Sequence, residues 1–218
     1  MTDKIKVYII EDQINILKTQ MKVLSKFEEI EVIGSSMSAE PALEEVKNLM
    51  PNVILMDLGL PDISGIELTA SIKKLYPEIE ILVFTIFNEE DKVIQAIKAG
   101  ASGYILKGTS GERMVYAIKS VFEGGSFIQP SLAKSLLKYF TQKPEKEDFV
   151  DTPVKLTDRE IEILQMIAKG LSNNEVATVL KISKSTIRTH LEHIYQKMEV
   201  TNRVEAITEG YKRGLIDL

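Results

Sequence analysis

The sequence predicts an α/β domain built on a doubly wound, five-stranded parallel sheet, followed by a smaller all-α domain of four helices. Three observations predict it. Short apolar runs alternate five times with helically spaced apolar residues in the first part of the chain, which is the signature of a parallel sheet covered by helices. A polar, proline-broken stretch, Thr141 to Asp148, then interrupts all periodicity. Beyond it the pattern is helical only.

The first strand, residues 5–10, runs into Glu11-Asp12, and Ile14, Leu17, Met21 and Leu24 then recur three or four apart, as on one face of a helix. Residues 30–35 form the second strand. Ala42, Leu43, Val46 and Leu49 mark a helix from Ala39 to Met50 that Pro51 stops. Val53 to Met56 is apolar throughout, as a strand buried on both faces must be, and delivers Asp57 at its carboxyl end. After the turn signal Leu60-Pro61-Asp62, a third helix spans Ser64 to about Leu75. Strand four, Ile79 to Phe84, ends at Thr85, and a helix from Glu89 to Ala99 closes on Gly100. Strand five, Gly103 to Leu106, delivers Lys107, and a last helix from Ser110 to Phe122 is ended by Gly124-Gly125.

Composition excludes several classes. With 44% hydrophobic and 27% charged residues the chain carries ample core material and is neither disordered nor fibrous. There is no cysteine, so disulfide and thiolate chemistry are absent. No apolar tract reaches membrane-spanning length and Met1-Thr2-Asp3-Lys4 does not open a signal peptide, so a cytoplasmic protein without membrane association is expected. The net charge of −5 is uneven: residues 1–151 carry 17 basic and 23 acidic groups, residues 152–218 carry 10 and 9. The two parts therefore suit different partners.

If all five strands run the same way, Glu11, Asp12, Asp57, Thr85 and Lys107 share one rim, where open α/β sheets hold their ligands. Singly, Asp57 reads as a turn cap, Thr85 as a strand end and Lys107 as a surface charge. Together they make a chemistry. Three carboxylates repel one another unless one is protonated or a cation neutralises them. An all-oxygen cluster favours a hard ion, Mg²⁺ above all, which keeps open positions for a phosphoryl group. Asp57 can then attack phosphorus in line, with Lys107 pairing one phosphoryl oxygen and the Thr85 hydroxyl donating to another.

These residues carry a resemblance. Residues 1–127 are similar to the flavodoxin-like receiver domain of two-component response regulators: an acidic pair (Glu11-Asp12), a phosphoacceptor (Asp57), a Thr (Thr85) and a Lys (Lys107) follow strands one, three, four and five. The resemblance implies phosphoryl transfer from a partner histidine kinase onto Asp57, with Mg²⁺ held by Asp12, Asp57 and the Gly59 carbonyl, and by Glu11 through water. It also implies Tyr104, three before the lysine, as the switch aromatic alongside Thr85. On this reading the chain is not an enzyme beyond assisting its own phosphorylation and dephosphorylation. Where many receivers have a proline after the lysine, this chain has Gly108.

Residues 128–153 form the connector, a short amphipathic helix from Pro130 to Phe140 and the polar linker. The second domain, 154–218, has a start signal for each helix. Thr157 to Glu160, Ser172 to Glu175 and Asn202 to Glu205 fit or approximate a capping box, and Ser183 caps the third helix. Ile161, Leu164, Ile167 and Ala168 face inward from the first helix, and Val176, Val179 and Leu180 from the second. The turn Lys181-Ile182-Ser183 between helices two and three gives a helix-turn-helix layout. Ile187, Leu191, Ile194 and Met198 face inward from the third helix, leaving Ser185, Thr189, Glu192 and Gln196 outward and Arg188 on the flank. By itself such a polar face is what a solvated amphipathic helix shows; it also suits a DNA major groove, with Lys181, Lys184 and Thr186 on phosphates.

From Leu156 to Leu215 the chain resembles a LuxR-type helix-turn-helix, through Leu156-Thr157-Asp158-Arg159-Glu160, Gly170 to Ala177, Thr186-Ile187 and Asn202 to Ala206. Both resemblances together imply a NarL/FixJ-type regulator that binds double-stranded promoter DNA and forms a homodimer when phosphorylated. Base contacts then fall to Arg188, Thr189 and Glu192, the last an acid where a basic residue is common. Two other readings compete. One is a constitutive DNA binder whose first domain only dimerises. The other is an enzyme, an FMN protein or aspartate-nucleophile phosphatase, against which stand the acids after strand one and Gly59 two residues past Asp57.

Overall fold

The structure, a computed structural model, describes residues 4–130, 132 and 155–217. In the first domain the strands are β1 (Ile5–Ile10), β2 (Ile30–Ser36), β3 (Val53–Met56), β4 (Glu80–Thr85), β5 (Gly103–Leu106) and β6 (Phe127–Ile128). The helices are α1 (Ile14–Leu24), α2 (Ala39–Leu49), α3 (Gly65–Leu75), α4 (Glu90–Lys98) and α5 (Gly111–Phe122). The sheet order is β2-β1-β3-β4-β5-β6 and every pairing is parallel. The order reverses between β1 and β3, which opens a crevice at the carboxyl ends of those strands.

Alternation along the strands divides the core into two layers. Val7, Ile9, Leu55, Leu82, Phe84 and Ile105 face α1 and α5. Tyr8, Ile10, Ile54, Met56 and Ile81 face α2 and α3, with Val83 and Tyr104 continuing toward α4. Burial on both faces is why these strands read as unbroken apolar runs.

Several details differ from the sequence expectation. The sheet has a sixth strand, two residues long, that pairs Phe127 with Gly103; a pair of residues behind two glycines has no periodicity to read. On α1, Ile14 and Met21 are exposed while Gln20 is buried beside Leu17 and Leu24, so the apolar spacing misplaced the inward face. On α2, Leu49 is also exposed. The predicted connector helix, the linker and the boundary at 153 fall, Pro130 and Leu132 apart, outside the described residues; Leu132 is buried against the α4 side of the core.

The second domain packs α6 (Asp158–Ala168), α7 (Asn173–Leu180), α8 (Lys184–Met198) and α9 (Arg203–Lys212) around one apolar cluster. Ile187, Leu191, Ile194 and Met198 are all buried, as the spacing requires. Val179 is exposed, and on α6 it is Ile163, not Ile161, that is fully buried beside Leu164 and Ile167. Thr157/Glu160 and Ser172/Glu175 form reciprocal capping boxes, and Ser183 accepts from Thr186 N. The third predicted box is displaced. Asn202 accepts from Glu205 N, but the Glu205 carboxylate accepts from the backbone and hydroxyl of Thr201 instead of from Asn202.

Candidate functional site

The register sets the rim. Asp57 N donates to Ile10 O at 2.9 Å, which places Asp57 beside the Glu11-Asp12 pair, and Lys107 N donates to Thr85 O at 2.8 Å, which joins the other two predicted residues. One ligand oxygen from each of Glu11, Asp12 and Asp57 lies within 4.8 Å of the others, the one such cluster of potential metal ligands among the described residues. The Lys107 ammonium stands between them, donating to Glu11 Oε1 at 2.8 Å and Asp57 Oδ2 at 2.7 Å. Asp57 Oδ1 accepts from Leu58 N at 2.7 Å. Burial, then the negative Asp57, push the Glu11 carboxyl above its usual range despite Lys107. Burial alone would depress Lys107, but its bonds to Asp57 and Glu11 outweigh that and hold its proton more firmly.

Two buried oxygens on the flanking strands lack partners: Asp12 Oδ1 beyond β1 and Thr85 Oγ1 at the end of β4. A single ammonium does not neutralise three carboxylates, and a buried oxygen without a donor is costly. The donor set is therefore suited to Mg²⁺, which prefers carboxylate and carbonyl oxygens and retains waters. Glu11, Asp12 and Asp57 are the carboxylates of that set.

The loop behind Asp57 is held by close backbone approach. A Cβ on Gly65 would lie 2.0 Å from the Asp57 carbonyl oxygen, so only glycine lets α3 start there. Asp62 accepts from Ala39 N and Glu40 N, tying the loop to the start of α2. Gly59 stands in this tethered loop. Gly108 has φ +96°, a conformation closed to proline, which accounts for the residue after Lys107. Tyr104 is fully buried and donates to Phe87 O at 2.9 Å; burial, then Glu89 and Asp57, raise its hydroxyl well above the ordinary range.

In the second domain Lys181, Ser185, Thr186, Thr189 and Glu192 are exposed, while Lys184 and Arg188 are half-buried. Ser183 Oγ lies 2.7 Å from Ser185 Oγ and 2.8 Å from Thr186 Oγ1, tightening the first turn of α8. His190 and His193 join no ligand cluster among the described residues. The half-burial of the two cations comes from the first domain. Lys184 Nζ sits 4.9 Å above the Phe122 ring, and burial, then Arg188, lower its pKa. Arg188 and Glu192 line a cavity of about 650 Å³ between the domains.

Two residues that sequence reasoning treated only as a helix start form the joint. Asn202 Nδ2 donates to Ile97 O at 2.6 Å, at the end of α4. The buried Arg203 guanidinium donates to Gly124 O behind α5, and to Ile167 O and Leu171 O within its own domain. Asn173 N donates to Glu123 O at 3.2 Å, and Val204 packs against the α4 side of the core. No local pattern announces these contacts, because each partner is distant in sequence.

The fold and its two sites define a receiver-type α/β domain joined to a helix-turn-helix domain. Residues 7–119 match the response regulator receiver domain, and residues 154–209 match the luxR family of bacterial regulatory proteins. The chain is 32% identical to the transcriptional regulatory protein DegU of Brevibacillus brevis, over 98% of this chain and 96% of that one. It is 35% identical to the response regulator VraR of Staphylococcus epidermidis, over 97% and 99%. Among solved structures, the response regulator ChrA of a heme-sensing two-component system aligns over 98% of this chain and 99% of its own, with TM-score 0.53 and 32% identity. RcsB of Salmonella typhimurium shares the fold at TM-score 0.58 and 23% identity, over 98% and 100%. This chain belongs to the NarL/FixJ-type two-component response regulators, transcription regulators with a LuxR-type DNA-binding domain.

Proposed function

We propose that this regulator is switched by phosphoryl transfer from a histidine kinase to Asp57. The observation that carries the reading is the rim itself: an Asp57 carboxylate held by Lys107 and Leu58 N, between two buried oxygens without partners on the flanking strands. An Asp57 oxygen attacks the phosphorus of the kinase phosphohistidine; the O–P bond forms, the N–P bond breaks, and the imidazole leaves with the electron pair and takes a proton. Bound Mg²⁺ would supply charge neutralisation for the phosphoryl oxygens. Asp12, Asp57 and the Gly59 carbonyl would hold it, with Glu11 acting through water. Lys107, which donates to Asp57, pairs a phosphoryl oxygen, and the Thr85 hydroxyl donates to another. The protein takes one phosphoryl group per cycle and is not an enzyme in the turnover sense.

The consequence runs through the joint. Tyr104 bonds to Phe87 O, just before α4, and the other end of α4 carries Ile97, the acceptor for Asn202. A shift of Thr85 and Tyr104 on phosphorylation biases α4 and weakens the joint, freeing Lys184, Arg188 and Glu192. The separated second domains then bind paired half-sites in cytoplasmic promoter DNA as a homodimer, with Lys181, Lys184 and Thr186 on phosphates and Ser185, Arg188, Thr189 and Glu192 toward the bases. DNA selection with and without a small phosphodonor and Mg²⁺ tests this. Phosphodonor-dependent enrichment of one sequence by the parent, lost in Asp57→Asn, is the expected result. Equal enrichment by both proteins would instead favour constitutive binding.

A further inference from the structure

We infer that Gln20, on α1, is a positioning residue for Glu11, and through it for Mg²⁺ at the Asp57 rim; the inference rests on the metal-binding part of the function proposed above. Gln20 is 3% exposed and lies on the inward face of α1 with Leu17 and Leu24. A carboxamide in that apolar layer is costly, the more so because its Oε1 is buried without a partner. Its other end has a task. Nε2 donates to Glu11 Oε2 at 3.3 Å, whereas Glu11 Oε1 is held by Lys107 at 2.8 Å and Gln13 N at 3.3 Å.

The two oxygens of the fully buried Glu11 therefore have separate donors from separate elements, and rotation about the last side-chain bond is stopped from both sides. Without Gln20, Oε2 keeps its charge and loses its donor, so the carboxylate is free to rotate about its bond to Lys107 and no longer presents a fixed orientation to the rim. Outer partners that orient a metal-binding group typically govern metal affinity by about tenfold or more.

The test is calorimetric titration of the full chain with Mg²⁺ alone, alongside thermal melting. Gln20→Met keeps the length and removes the donor. Gln20→Asn keeps the amide but draws it back by one methylene. Both should raise the Mg²⁺ dissociation constant about tenfold. In a Glu11→Gln background Gln20→Met should add nothing, because its effect passes through Glu11. An unchanged dissociation constant in both variants, or independent effects of Gln20 and Glu11, would overturn the inference; a fall in melting temperature with unchanged Mg²⁺ affinity would leave Gln20 a packing residue only. Mg²⁺ binding by a parent that a phosphodonor cannot label at Asp57 would sink the phosphoacceptor reading and leave the Gln20 result standing. A parent that binds no Mg²⁺ would sink both.

Discussion

Asn202 reaches across the domain boundary to Ile97, 105 residues earlier, and its amide donates to the last-turn carbonyl of α4 at 2.6 Å. The same side chain caps α9, since its Oδ1 accepts from Glu205 N at 3.0 Å. Both ends of one carboxamide are thus committed, one to folding its own domain and one to holding the other.

That division makes the joint separable from stability. Asn202→Asp keeps the cap, because Asp is as good an N-cap as Asn, but it sets a carboxylate against the Ile97 carbonyl. Loss of the bond and the new repulsion together should cost the closed arrangement about 1.5 kcal/mol. The unphosphorylated variant should then bind DNA about tenfold more tightly than the parent and show a larger radius of gyration by small-angle scattering, with its melting temperature little changed. Unchanged DNA affinity would show that this contact does not restrain the second domain.

Gly65 sets how α3 approaches Asp57. In Gly65→Ala the new Cβ meets the Asp57 carbonyl at 2.0 Å and the Leu58 Cα at 2.8 Å, both backbone atoms, so the loop must move. The expected cost is about 2 kcal/mol or more in denaturant unfolding. Labelling by a small phosphodonor should slow as well, since Leu58 N holds the acceptor carboxylate from this loop. Parent-like labelling would mean that the strain relaxes away from Asp57.

Much of this was legible in the sequence, and the reasons for the rest are physical. Val53 to Met56 reads as a strand because it is buried on both faces, and once the strands are parallel its carboxyl end falls on the same rim as that of β1, so Asp57 on one rim with Glu11 and Asp12 was predictable. Ile187, Leu191, Ile194 and Met198 face inward as their spacing requires. Gln20 was not legible: a polar residue between exposed Thr19 and Met21 is assigned to solvent by any periodicity rule, and only Glu11, nine residues away, explains its place. In the sequence Asn202 and Arg203 mark a helix start, which is half of what they do. Their other partners, Ile97 and Gly124, are backbone carbonyls, and a carbonyl leaves no mark in a sequence.

The second domain carries an acid-sensitive tie. Glu160 is 3% exposed and receives Lys197 Nζ at 2.8 and 2.7 Å as well as Thr157 N at 2.7 Å. Burial alone would raise its pKa, but the bonds from Lys197 and Thr157 outweigh it and leave the carboxyl below its ordinary value. A depressed folded pKa means stability that is complete above the unfolded value, near 4.3, and lost as pH falls through the folded value. Glu160→Gln should therefore lower stability by about 2 kcal/mol at pH 7. The gap to the parent should narrow below about pH 4. Parallel stability curves from pH 7 to 3 would count against this tie.

Lys107 is the cation against which the rim is balanced. Its ammonium is largely buried and pairs with two carboxylates that are themselves buried, so Lys107→Met leaves Glu11, Asp12 and Asp57 with no positive group bonded to them among the described residues. Removing one partner of a buried pair costs about 3 kcal/mol, and the melting temperature in metal-free buffer should fall accordingly. The loss should shrink toward acid pH, where protonation relieves the repulsion. Mg²⁺ should then raise the melting temperature of the variant by more than it raises that of the parent, because ligand binding stabilises most where the cluster lacks another cation. Melting curves of both proteins across a Mg²⁺ titration decide it: a smaller increment in Lys107→Met than in the parent would mean that Lys107 helps to build the metal site instead of balancing its charge.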